Sequence, residues 1–132
     1  MLWTGWTAIM IQAAAPAIAP ADRAAILDAA RRPVAEELGR PPLFVVKTLR
    51  RDGDWAFLFA DMQAAGGKPF DYAGTKKAEA ARRGLVSHAY AALLRRQNGR
   101  WQVIEAAIGP TDVAWEGWAA KHGAQPSVFA FD

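Results

Sequence analysis

Two short turn signals constrain this chain more than anything else in it. Arg51-Asp52-Gly53-Asp54 and Gln97-Asn98-Gly99-Arg100 each sit between two runs rich in β-branched, aromatic and leucine residues. Asn-Gly favours a type I′ turn because both central residues need positive φ, and Asp-Gly is nearly as strong a hairpin signal. Residues 43–50 and 55–62 therefore read as one hairpin, and residues 85–96 and 101–108 as a second. Four antiparallel strands follow, and the remaining segments have to cover them. Residues 63–84 between the hairpins are rich in Gly and Lys and read as a loop with one helical turn at 76–83.

Before the first strand, Asp22 can cap a helix that starts at Arg23. Leu27, Ala30, Val34 and Leu38 then recur on one stripe. Pro33 lies inside that pattern and predicts a kink or a split near Arg32. Gly39 followed by Pro41-Pro42 is a stop signal. After Gly109-Pro110, Thr111 can cap a short helix with Asp112 in its first turn, carrying Trp115, Trp118, Ala119 and His122 on one face and ending at Gly123. Val128, Phe129 and Phe131 make the tail apolar enough to dock. The expected architecture is α+β: an N-terminal helix packed on a four-stranded antiparallel meander, with a short C-terminal helix. In each hairpin an arginine of Arg50-Arg51 or Arg95-Arg96 is expected opposite or diagonal to the tryptophan, Trp55 or Trp101. An Arg over an indole contributes roughly 0.5–1 kcal/mol at an exposed site, enough to help pin register.

The chain has 132 residues, sufficient for one domain. Met1 to Ala21 carries no charged side chain, whereas every formal charge lies from Asp22 onward. The apolar run 6–19, followed by Ala15-Pro16-Ala17 and Ala19-Pro20-Ala21, reads as a signal peptide over 1–21 ahead of a domain over 22–132. No basic residue precedes that run. Export to the periplasm or medium is the expectation, with no stable membrane span. Cysteine is absent, which excludes a disulfide framework, a Cys-ligated metal and a thiol nucleophile. Two histidines, His88 and His122, leave little material for a metal site, and no cofactor is implied. The net charge is +3, but eight of the eleven arginines form four separated doublets, two of them with acidic neighbours. A nucleic-acid footprint calls for a single basic patch, so nucleic acid is not an expected partner.

The helix-then-four-strands order resembles cystatin-like and NTF2-like α+β folds. The stretch Leu93-Leu94-Arg95-Arg96, Trp101-Gln102-Val103 and Ile108-Gly109-Pro110-Thr111-Asp112-Val113-Ala114-Trp115, with Gly53-Asp54-Trp55-Ala56-Phe57 earlier, is similar to small exported bacterial proteins without an assigned activity. Cystatin inhibitors present a Gln-x-Val-x-Gly hairpin loop. Here Gln102-Val103-Ile104 lies within a strand, so protease inhibition does not carry over. NTF2-like enzymes place an acid or base in a cone-shaped apolar pocket, and that resemblance nominates Asp61, Tyr72 and Tyr90.

With a two-residue turn at Asn98-Gly99, residues whose numbers sum to 197 pair across the second hairpin. His88, Tyr90, Ala92 and Leu94 then share a face with Trp101, Val103, Glu105 and Ala107. That places His88, Tyr90 and Glu105 together as the titratable cluster, with a His–Glu pair as candidate acid and base. The opposite face, with Ala89, Ala91, Leu93, Ile104, Ala106 and Ile108, reads as the cleaner core.

These observations favour a non-catalytic exported binding or structural domain, monomeric or homodimeric, whose partner is a protein, peptide or small envelope ligand. Trp115 and Trp118 are candidate binding residues, since interfaces use aromatics heavily. The alternative is an NTF2-like small-molecule enzyme. Intact mass of the protein isolated from its native host is expected to show loss of about 21 residues by the small-x-small cleavage rule. A full-length cytosolic species would end the export expectation.

Overall fold

The computed structural model describes residues 17–130. Residues 1–16, which hold most of the segment expected to be a signal peptide, and Phe131 of the tail lie outside the described residues. The chain forms helix α1 (Pro20–Leu38), strands β1 (Leu43–Asp52) and β2 (Trp55–Gln63), a short helix α2 (Ala78–Arg82), strands β3 (Ala89–Gln97) and β4 (Arg100–Ile108), helix α3 (Trp118–His122), and a closing 3-10 turn Pro126–Phe129. The strands make one antiparallel sheet in the order β1-β2-β3-β4. This is the α+β meander expected from the two turn signals. At the second turn Asn98 and Gly99 both have positive φ, 53° and 76°, as a type I′ turn requires.

Helix α1 begins earlier than Asp22. Pro20 occupies the first turn, where its missing N–H costs nothing, and the Arg23 amide donates to the Ala19 carbonyl at 2.9 Å. Asp22 is thus inside the first turn, near the positive end of the helix dipole. Its carboxylate accepts a 2.6 Å bond from Arg51 of β1. The helix runs unbroken through Pro33 instead of splitting there. Ala30 and Val34 flank the proline and are wholly buried against the sheet, and this packing outweighs a cost of about 3 kcal/mol for interior proline. Ile26 and Ala29 join the buried stripe, while Leu27 lies at its margin. Gly39 closes the helix in the left-handed conformation, its amide bonded to the Ala35 carbonyl.

Both edge strands carry a bulge. In β1 the extra residue is Lys47, between Val46 and Thr48. In β4 it is Ile104: Leu94 pairs with Val103, but Leu93 pairs with Glu105. Side chains alternate with period two, so one extra residue exchanges the two faces beyond it. Tyr90, Ala92, Leu94, Trp101, Val103, Ala106 and Ile108 consequently lie under α1, in a core with Leu58, Ala60 and Met62. Glu105 and Ala107 pass to the opposite face. There Phe57, Ala91 and Leu93 are covered by the C-terminal segment through Trp118, Ala124 and Val128. Both faces are therefore covered, by different parts of the chain.

The cover over the second face differs in detail from the capped helix expected after Pro110. Helix α3 starts only at Trp118, with Gly117 ahead of it and no side-chain cap, so Thr111 caps nothing. Trp115 lies in the preceding turn, its ring 5.1 Å from Phe59 and 5.9 Å from Phe57. Trp118 is buried edge-on to Phe57 at 6.5 Å. Gly123 ends α3 as expected, and Val128 docks the tail.

Arginine–indole contacts tie the two hairpins together. Arg96 lies over Trp101 within the second hairpin, at 5.9 Å. The remaining contacts are exchanged: Arg95 of β3 covers Trp55 of β2 at 5.0 Å, and Arg51 of β1 covers Trp101 of β4 at 5.2 Å.

Trp118→Ala is expected to lower stability by about 3–5 kcal/mol, the usual cost of truncating a buried tryptophan. Thr111→Ala is expected to stay within about 0.5 kcal/mol of wild type, as an exposed substitution that removes no cap. Urea denaturation of the two variants checks both values.

Candidate functional site

At the end of the sheet away from the hairpin turns, the connection between β2 and β3 folds back to make a cleft of about 350 Å³. Phe70 and Tyr72 form its buried floor, Ala78 and Ala81 of α2 one wall, and Val86 another. Asp71, Arg82 and His88 are its charged or titratable lining.

Hydrogen bonds hold these walls in place. Arg40, just past the end of α1, donates to the Asp71 carbonyl at 3.2 Å and to the Ala73 carbonyl at 3.0 Å. The Asp71 carboxylate accepts the Ala73 amide at 2.9 Å, and the Thr75 hydroxyl donates to the Tyr72 carbonyl at 2.6 Å. Local side-chain bonds of this kind are how Asp and Thr fix turns. Opposite them, Ser87 replaces the first rungs of the expected strand. Its amide donates to the Gly109 carbonyl, its hydroxyl donates to the Pro110 carbonyl, and that hydroxyl accepts the Ala89 amide. The ladder thus begins at Ala89 rather than Leu85.

Tyr72 links the two sides. Its hydroxyl donates to the Ser87 carbonyl at 2.6 Å, and burial pushes its pKa up to about 12, so it remains a donor. Gly109 makes room for this arrangement. A Cβ there would lie 2.9 Å from the Ser87 carbonyl oxygen and 3.0 Å from the Tyr72 hydroxyl, on a backbone with φ of +68°.

The structure disperses the titratable cluster expected from an unbroken two-residue register. His88 is exposed at the cleft, its ring 5.7 Å from that of Tyr72. Tyr90 is wholly buried under α1 and stacked on Phe44 at 5.6 Å, with no hydrogen-bond partner for its hydroxyl among the described residues. Burial raises its pKa, with the Glu37 charge adding to the effect. Glu105 is on the other face of the sheet because of the bulge at Ile104. Asp61 is half-exposed and ion-paired with Lys47 at 3.5 Å. Trp115 and Trp118 are engaged with Phe57 in the second core. Each arginine doublet has a member held by a carboxylate: Arg31 by Asp28, Arg51 by Asp22, Arg82 by Glu79 and Arg96 by Asp54.

The His–Glu pair that does form involves the other histidine. His122, at the end of α3, is 2.6 Å from Glu105, and Lys121 reaches the same oxygen at 3.0 Å. Together they fasten α3 to β4. Sequence reasoning missed this pair because it depends on where the C-terminal segment crosses the sheet. It also passed over Phe70, Val86 and Arg82, which only the path of the long connection brings together. No helix among the described residues is long and apolar enough to cross a membrane. Comparison with protein-family models, curated proteins and solved structures found no match.

The bond from His122, assisted by Lys121, holds the Glu105 carboxyl below the usual carboxylate range despite some opposing desolvation. Its stabilising contribution is therefore present above the unfolded-state pKa and is lost as pH falls through the lowered folded value. His122→Ala is expected to move the Glu105 titration, followed by carboxyl NMR, back up towards the ordinary range. It should also flatten the acid limb of the stability–pH curve. An unchanged Glu105 titration would show that the pair does not form.

Proposed function

We propose that this chain is a non-catalytic binding domain of the cell envelope, exported by its uncharged leader, with its ligand seated in the cleft beside β3. The observation that carries this reading is the construction of the cleft: an apolar floor of Phe70 and Tyr72, walls fixed by hydrogen bonds, and a few polar groups at the lining. Small-molecule sites are built this way, and about 350 Å³ is near the low end of their roughly 300–1,000 Å³ range. The likeness to small exported α+β proteins of cystatin-like or NTF2-like plan belongs to the same proposal and supports export to the periplasm or medium.

The enzymatic alternative asks for an acid or base in an apolar cone between helix and sheet. Ile26, Ala30 and Val34 fill that space against Leu58, Ala60, Ala92 and Leu94. Asp61 is ion-paired at the surface, and Tyr90 is enclosed in the core. These placements favour binding over catalysis.

Titrating ¹⁵N-labelled protein with a panel of one- and two-ring small molecules is expected to shift amide signals within residues 70–88. Ala78→Trp, which puts an indole into the cleft, is expected to abolish those shifts while the protein keeps a cooperative melt. Shifts confined to other parts of the sheet, or unchanged binding by the variant, would overturn the assignment of the cleft.

A further inference from the structure

We propose that the cleft takes a small zwitterion with an aromatic side chain, the chemistry of a free aromatic amino acid. This rests on the reading of the cleft as the ligand site and goes further by naming the class of ligand.

The lining charges are balanced. One acid, Asp71, comes from the loop after β2, and one base, Arg82, comes from the end of α2. Arg82 is ion-paired with Glu79 at 2.6 Å, yet both side chains keep hydrogen-bonding capacity. Among the described residues the Asp71 carboxylate accepts one bond, from the Ala73 amide, and a carboxylate has further lone pairs to offer. Arg82 directs one of its five N–H donors to Glu79 and has others left. A simple anion in the cleft would meet Arg82 but face Asp71, and a simple cation would meet Asp71 but face Arg82. A ligand carrying both signs can satisfy both walls. Such a ligand gains charge-assisted bonds in place of repulsion.

The floor specifies the rest of the ligand. Phe70 and Tyr72 are edge-to-face at 5.4 Å, and the His88 ring follows at 5.7 Å from Tyr72. Aromatic rings pack favourably in offset or edge-on arrangements beside such a row. The volume suits one ring with its charged head. The Asp71 wall is already fixed by Arg40 and Thr75, so little ordering remains to oppose binding.

The test is a ¹⁵N NMR titration of the full chain with L-phenylalanine, 3-phenylpropionate, which lacks the ammonium, and phenethylamine, which lacks the carboxylate. L-phenylalanine is expected to bind tightest and to shift signals within 70–88. Asp71→Asn, which keeps the bond to Ala73, and Arg82→Gln are each expected to weaken it by on the order of tenfold. Asp71→Asn should leave 3-phenylpropionate no weaker, and Arg82→Gln should leave phenethylamine no weaker. Equal affinity for all three probes, or no effect of either variant, would overturn the zwitterion while leaving the cleft as a ligand site. No shift within 70–88 from any probe would overturn both.

Discussion

Side chains alternate along a strand, so the single extra residue Ile104 in β4 exchanges the faces of everything that follows it. Without it, Glu105 would lie with Tyr90 and Leu94 beneath α1, where burying a carboxylate is costly. With it, Ala106 and Ile108 complete the core under the helix, and Glu105 emerges where His122 and Lys121 can meet it. The bulge therefore sets the chemistry of both faces. It also fixes where the C-terminal segment can be fastened.

That fastening lets a four-stranded sheet bury both of its sides in a short chain. One side is covered by a long helix whose buried positions are mostly small or branched: Ile26, Ala29, Ala30 and Val34. The other is covered by an irregular strap whose contacts are aromatic, Trp115, Trp118 and Phe129 around Phe57. Ser127 bonds to Asp52 at one margin of the strap, and His122 bonds to Glu105 at another. With helix and strap both engaged in covering the sheet, the long connection is left to form the cleft at its end.

The strand pairing and the meander order were legible in the sequence because Asp-Gly and Asn-Gly turns act locally and strongly. The stop at Gly39, the turn at Asn98-Gly99 and the end of α3 at Gly123 follow from the same left-handed backbone requirement. What could not be read was any feature set by tertiary packing. The bulge at Ile104 has no turn residue to announce it. The continuity of α1 through Pro33 depends on buried neighbours, and the late start of α3 depends on Trp115 and Trp118 seating on Phe57. Of the cleft, His88 was visible as a candidate from the strand register, and Tyr72 from the resemblance to NTF2-like enzymes. Phe70, Val86 and Arg82 acquire meaning only once Arg40, Ser87 and Gly109 bring the two ends of the connection together.

The exchanged arginines bear on how the chain folds. Each hairpin has its own turn and could form early, yet Trp55 receives its guanidinium from the second hairpin, and Trp101 receives one of its two from the first. Either hairpin alone would present an incompletely covered indole, and two-stranded ribbons are marginal in water in any case. The contacts arise only when the halves meet across the long connection, so the two hairpins are rewarded together. Arg51 extends the same dependence to the helix by binding Asp22. Association of the hairpins and seating of the first turn of α1 thus draw on one shared side chain, so each favours the other.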